Sequence, residues 1–121
     1  MNAPARPTVL IVEDELLVRL LANAVLEDAG YRVIEARDGQ EALAILGLQP
    51  NIRLLLTDVL MPSLDGYSLS KIAAERWRDL RIILTSALPP PGPLPANARY
   101  LPKPYRPQAL AEVVQEALRA R

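Results

Sequence analysis

The sequence predicts an α/β domain with a doubly wound, five-stranded parallel sheet, and two observations carry that prediction. Apolar runs of strand length recur at 8–12, 31–36, 52–57, 81–86 and 98–101. Most are near-continuous rather than alternating, as strands buried on both faces are. Between most of them lie stretches with apolar residues at helical spacing, and strands alternating with amphipathic helices build parallel sheets with helices on both faces. At 121 residues, half of them hydrophobic, the chain fits one domain with a single core. That domain is expected over 1–121, with 1–7 as a disordered or extended tail.

Taken in order, the first strand runs from Thr8 to Val12 and ends in Glu13-Asp14-Glu15. Leu16, Leu17, Leu20, Leu21, Ala24 and Val25 then repeat at helical spacing up to Gly30, a natural residue just past a helix end. After the second strand, Asp38 with Glu41 three residues on resembles a capping box, opening a helix closed by Gly47 and Pro50. The third strand ends at Asp58. Pro62 and Asp65-Gly66 turn the chain into a shorter helix carrying Leu69, Ile72, Ala73 and Trp77, with Trp77 read as structural. The fourth strand ends in Thr85 and Ser86, and the fifth precedes Lys103-Pro104. Pro107 suits the first turn of a last helix with Leu110, Val113, Val114, Ala117 and Leu118 on one face. One link breaks the alternation. Residues 88–97 hold five prolines in seven positions, which no α-helix tolerates, so an extended or turn-like bridge is expected there.

Composition removes much chemistry. The chain has no cysteine and no histidine, so it has no thiolate or histidine nucleophile, no Ser-His-Asp triad and no soft metal site. Fourteen basic residues balance fourteen acidic ones, so no global field favours nucleic acid or an anionic membrane. No signal peptide or apolar stretch of ~20 residues stands out, which makes the cytoplasm the default compartment.

What remains converges. In a parallel sheet the carboxyl ends of the strands share one edge, where ligands bind near the switch in strand order. Order 2-1-3-4-5 gathers Glu13, Asp14, Asp58, Thr85, Ser86 and Lys103 there. Three carboxylates repel one another, and a hard divalent cation relieves this; oxygen ligands alone point to Mg²⁺. With negative charge screened, Asp58 becomes a nucleophile towards phosphorus, while Lys103 and Ser86 hold the equatorial oxygens.

Glu13-Asp14, Asp58 with Met61-Pro62 and Asp65-Gly66, Leu84-Thr85-Ser86-Ala87 and Lys103-Pro104 together resemble the receiver domain of two-component response regulators. The resemblance spans nearly the whole chain. It implies a flavodoxin-like fold and a phosphoacceptor signalling domain rather than an enzyme. A sensor histidine kinase or histidine phosphotransfer protein would be the donor, and an unidentified protein the downstream partner. It also implies Asp58 as acceptor, Glu13, Asp14, Asp58 and the Leu60 carbonyl as Mg²⁺ ligands, and Lys103, before a cis proline bond, on the phosphoryl group. Ser86 matches the switch hydroxyl better than Thr85 because Ala87 follows it, and Tyr100 matches the aromatic that follows the switch. Leu60 and Leu88 stand where the family tunes water attack, and both are apolar, which implies a persistent aspartyl phosphate.

The departure is the fourth helix, which most receivers use for dimerisation and output and which is missing or degenerate here. The proline link is the candidate output element in its place. Other readings are a receiver excised from a hybrid kinase or larger regulator, and a receiver that binds partners without phosphorylation. A haloacid-dehalogenase-type phosphatase would need a second aspartate where Leu60 stands, and a flavodoxin's phosphate loop would not be Glu13-Asp14-Glu15.

Overall fold

In a computed structural model, which describes residues 6–119, five parallel strands form one sheet in the order β2-β1-β3-β4-β5. The elements are β1 (Thr8–Val12), α1 (Leu16–Asp28), β2 (Arg32–Ala36), α2 (Gly39–Leu48), β3 (Ile52–Asp58), α3 (Gly66–Arg76), β4 (Arg81–Ser86), β5 (Ala98–Pro102) and α4 (Pro107–Arg119). Residues 1–5 of the predicted tail lie outside the described residues. Pro7 is tied to the sheet margin, its carbonyl accepting from the Arg32 amide at 2.9 Å.

The sheet separates two apolar layers. On one side Val9, Ile11, Leu54, Leu56 and Ile83 pack against Ala22 and Leu26 of α1 and Leu110, Val114 and Ala117 of α4. On the other, Leu10, Val12, Leu55, Ile82 and Leu84 pack against α2 and α3 through Ala42, Leu46, Leu69 and Ala73. Each of these strands therefore buries both faces, which is why they read as continuous apolar runs.

Local chemistry sets the ends of the elements. α1 stops in a Schellman motif: Tyr31 N–H donates to the Leu26 carbonyl and Gly30 N–H to that of Glu27, both at 3.0 Å, with Gly30 at φ 100°. Asp38 caps α2 by accepting from the Glu41 amide, but Glu41 reaches back to the Arg37 amide rather than to that of Asp38. Asp65 caps α3 by accepting from the Ser68 amide. Two expectations shift. α2 runs through Gly47 to Leu48, because a helix interior tolerates glycine at a cost of only about 1 kcal/mol. Trp77 is the residue that ends α3, and its ring packs on the α2–α3 side of the core.

In α1 the structure settles what the spacing left open. Leu16, Leu17, Leu20 and Leu21, the residues whose spacing announced the helix, face solvent, with Leu17 71% exposed. The sheet instead receives Ala22 and Leu26, flanked by Val25. The helix carries two apolar stripes, and periodicity marks the helix without saying which stripe goes inward.

Residues 87–97 contain no helix, as the prolines require. The link must return from the carboxyl edge to the amino edge of the sheet, roughly 20 Å for the six residues of β4. Eleven extended residues reach at most ~40 Å, so the crossover closes without helical coiling. Leu94, half-buried, packs against the core on the α2–α3 side of the sheet.

Candidate functional site

Strand register assembles the site. Val12 pairs with Thr57, so Glu13 follows beside Asp58; Asp58 pairs with Thr85; Ser86 pairs with Pro102, so Lys103 comes next. Four segments far apart in sequence thus deliver charged and hydroxyl groups to one edge. The turn after β3 is held close: Gly66 N–H donates to the Val59 carbonyl at 2.8 Å. A Cβ at residue 66 would lie 1.9 Å from the Asp58 carbonyl oxygen, so only glycine lets α3 start against the strand end.

Lys103 is the centre of the charge arrangement. Its ammonium donates to Glu13 Oε1 at 2.9 Å and stands 3.2 Å from Asp58 Oδ2. Carboxylate oxygens of Glu13, Asp14 and Asp58 all lie within 4.8 Å of one another. Glu13 is almost fully buried, Asp58 half-buried and Asp14 exposed. Burial pushes the Glu13 carboxyl above its ordinary range, partly offset by the Lys103 hydrogen bond and charge. For Lys103, burial works towards a lower value, but Glu13 and Asp58 together outweigh it and the ammonium is held above its ordinary range. The peptide bond between Lys103 and Pro104 is cis.

The acidic loop has its own support. Arg19 donates to the Glu13 carbonyl at 2.8 Å and pairs with Glu35 at 2.8 Å, and Asn23 also donates to Glu35. The Glu15 amide donates to Glu13 Oε2 at 3.2 Å, which fixes the second carboxylate oxygen.

The hydroxyls divide. Thr85 is buried and lines a small cavity with Glu13, Asp58 and Tyr105. Ser86 Oγ accepts from the Leu88 amide at 3.2 Å. Tyr100 hydroxyl donates towards two carbonyls, Ser86 at 2.7 Å and Leu88 at 3.0 Å. Leu60 lies in the turn after Asp58 with its side chain exposed.

Sequence reasoning did not single out three features of this region. Arg19 sits on a helix between leucines and carries no motif. Tyr105, whose phenol is raised by burial despite the nearby Lys103 charge, was legible only as the residue after Lys103-Pro104. The third is a groove of about 520 Å³ between α1 and the start of α4, lined by Val18, Leu21, Val25, Lys103 and Tyr105 among others. It begins where the outer leucine stripe of α1 ends.

The oxygen donors suit a hard divalent cation. Three carboxylates with no nitrogen or sulfur ligand beside them fit Mg²⁺ and not zinc. No helix among the described residues is long and apolar enough to cross a membrane.

Comparison with known proteins agrees with this geometry. The response regulator receiver domain family matches residues 9–91. The response regulator receiver protein CpdR of Brucella abortus is 34% identical over 91% of this chain and 95% of its own length. The sensor kinase CckA of the same organism is 38% identical over 92% of this chain, but the match spans only 12% of CckA. A probable transcriptional regulator, ycf27 of Cyanophora paradoxa, is 34% identical, and the match spans 48% of it. Among solved structures, the receiver domain of the hybrid histidine kinase CckA superposes with a TM-score of 0.81, covering 92% of this chain and 98% of that one at 38% identity. The Vibrio cholerae chemotaxis protein CheY4 superposes at 0.82 with 28% identity, covering 93% and 99%. The chain belongs to the receiver domain family of response regulators, the phosphoaccepting signalling domains of two-component systems.

Proposed function

We propose that Asp58 accepts a phosphoryl group from a phosphohistidine of a sensor histidine kinase or histidine phosphotransfer protein, in the cytoplasm, and that Ser86 and Tyr100 relay the change to a downstream protein. The observation that carries this is the Lys103 ammonium bridging Glu13 and Asp58, with Asp14 alongside, on the sheet edge where ligands bind.

In the transfer, an Asp58 carboxylate oxygen forms the bond to phosphorus as the donor's N–P bond breaks. The electron pair stays on the imidazole nitrogen, which takes up a proton. Lys103 is placed to follow the negative charge, releasing Asp58 Oδ2 and holding a phosphoryl oxygen instead. Ser86 takes a second oxygen once its hydroxyl leaves the Leu88 amide, and Thr85 is the less favoured hydroxyl. Glu13, Asp14, Asp58 and the Leu60 carbonyl would hold Mg²⁺. Bound there, the ion neutralises the carboxylates and the charge on the phosphoryl oxygens.

The donor must bring its histidine to Asp58, so its docking surface must border this pocket. An apolar surface that does so is the outer stripe of α1 with the adjoining groove, which reaches Lys103. Histidine-bearing helices laid on this surface would bury leucines that are otherwise unsatisfied in water.

Incubation with Mg²⁺ and a small acyl phosphate, followed by intact mass measurement, tests the reading. Wild type gains one phosphate, whereas Asp58→Asn and chelator-treated wild type do not. A wild type without the gain overturns it.

A further inference from the structure

We propose that the proline strap, residues 88–95, is the element this receiver moves on phosphorylation, and that it swings about the hydrogen bond between Tyr67 and Pro93. The proposal rests on Asp58 being the acceptor.

A run of prolines has carbonyls to offer but no amide donors, so it must be pinned by donors from elsewhere. Two phenols do this. Tyr100, on β5, donates to the Leu88 carbonyl at 3.0 Å, and Tyr67, on α3, donates to the Pro93 carbonyl at 3.0 Å. Beyond them Leu94 is packed on the core, and Ala98 N–H donates to the Pro95 carbonyl at 2.9 Å.

The two ends differ in what they are coupled to. The near end belongs to the switch: Ser86 Oγ accepts from the Leu88 amide, and Tyr100 hydroxyl spans the Ser86 and Leu88 carbonyls. Turning the Ser86 hydroxyl towards a phosphoryl group removes the Leu88 bond and disturbs both acceptors of Tyr100. The far end is tied to α3, which starts against the Asp58 backbone, and makes no bond to the switch hydroxyl. Tyr67 is fixed by its place in α3, and the Lys71 ammonium lies 4.5 Å from the centroid of its ring. The strap passes so close that a Cβ at residue 92 would lie 2.6 Å from the Tyr67 hydroxyl oxygen. One end is released and the other held, so the segment pivots. It displaces Leu88, Pro89 and Pro91, which are exposed, while Leu94 stays in place.

The test uses the full chain, ¹⁵N-labelled, with Mg²⁺ and acetyl phosphate, reading amide shifts and intact mass on one sample. With the phosphate mass present, the Leu88 amide shifts strongly while those of Leu94 and Ala96 stay within a few linewidths. Tyr67→Phe keeps the ring and its Lys71 contact but loses the pivot. It accepts phosphate as wild type does, and its shifts spread to Leu94 and Ala96. Gly92→Ala pushes the phenol off Pro93 and reproduces the same spread. A phosphorylated wild type with Leu88 unmoved, with Leu94 and Ala96 moving as far as Leu88, or with a pattern identical to that of Tyr67→Phe, overturns the pivot. Absence of the mass gain overturns the acceptor reading itself, and with it the proposal, and is told apart by the same mass spectrum.

Discussion

Gly66→Ala measures how tightly the start of α3 is built onto the acceptor strand. The new methyl carbon would lie 1.9 Å from the Asp58 carbonyl oxygen, 2.7 Å from its carbonyl carbon and 2.9 Å from Val59 Cα. Bonded neighbours aside, real Cβ atoms essentially never approach closer than 3.0 Å, so backbone must move by at least 1.1 Å, the difference between 3.0 and 1.9. Overpacking of this kind costs about 1–3 kcal/mol. Loss of the Gly66 to Val59 hydrogen bond adds about 0.5–1.5 kcal/mol. The better helix propensity of alanine returns at most ~1 kcal/mol, less at a helix's first residue. The net expectation is a destabilisation of roughly 2–3 kcal/mol. The displaced atoms belong to Asp58 itself, and a shift of about 1 Å in a reacting group costs on the order of 100-fold in rate. Urea denaturation and the rate of phosphate gain from acetyl phosphate read the two effects. Gly47→Ala is the control, since its Cβ would meet nothing within 4 Å and it lies inside α2, so a gain of about 0.5–1 kcal/mol is expected. If Gly66→Ala leaves both stability and rate at the wild-type level, the close approach does not position Asp58.

Lys103→Met removes the ammonium that competes for Glu13 and Asp58. Mg²⁺ affinity should rise by titration while phosphate gain slows by on the order of 100-fold; weaker Mg²⁺ binding would show that Lys103 organises the carboxylates. Because burial raises the Glu13 pKa, the folded state binds that proton more tightly than the unfolded chain, and the stability this confers is present at acid pH and lost as pH rises through the folded value. Glu13→Gln should therefore raise the melting temperature of the metal-free protein at neutral pH and shrink the further rise that Mg²⁺ produces; an unchanged Mg²⁺ effect would remove Glu13 from the ligands. Leu60 and Leu88 are each 64% exposed and cannot orient a water through their side chains, so the aspartyl phosphate should outlast a seconds-long chase in purified protein. Leu60→Asn should shorten its lifetime.

Strand positions followed from the apolar runs because a strand buried on both faces leaves few alternatives for its sequence, as Val9-Leu10-Ile11-Val12 illustrates; their order rested on the handedness of parallel crossovers and on the family resemblance. The carboxylate cluster was legible because a parallel sheet carries its strand ends to one edge whatever the packing details. The inward face of α1 was not legible, since Leu17 and Leu21 are as apolar as Val25 and Leu26 and the choice between them is made by packing against the sheet and α4. Arg19 escaped because its partner Glu35 lies sixteen residues away across a fold contact. The proline link was readable as non-helical from covalent chemistry alone. Its attachment was not, because the phenols that hold it come from α3 and β5 and no local spacing relates them to residues 88 and 93.

The Ser86 carbonyl joins the two halves of the proposed switch. It accepts from the Lys103 amide at 2.9 Å and from the Tyr100 hydroxyl at 2.7 Å, so the strand end that carries the phosphate-binding ammonium and the phenol that holds the strap share one acceptor. In the pocket, three carboxylates face one ammonium, a net charge of −2 when all are ionised. A phosphoryl group carries about −1.5 to −2 but consumes the −1 of the Asp58 carboxylate, so the pocket gains about −0.5 to −1 more. Without further positive charge the lysine could not leave Glu13 for the phosphate without stranding a buried carboxylate, which costs several kcal/mol. A divalent ion held by Glu13, Asp14 and Asp58 would supply the positive charge that removes that obstacle and would leave Lys103 free to move. Metal dependence should therefore appear in two places: in phosphate gain, and in the Leu88 response of protein already phosphorylated. Stripping Mg²⁺ from that phosphoprotein should return the Leu88 amide towards its unphosphorylated position before the phosphate is lost. If Leu88 stays displaced, the ion serves transfer alone.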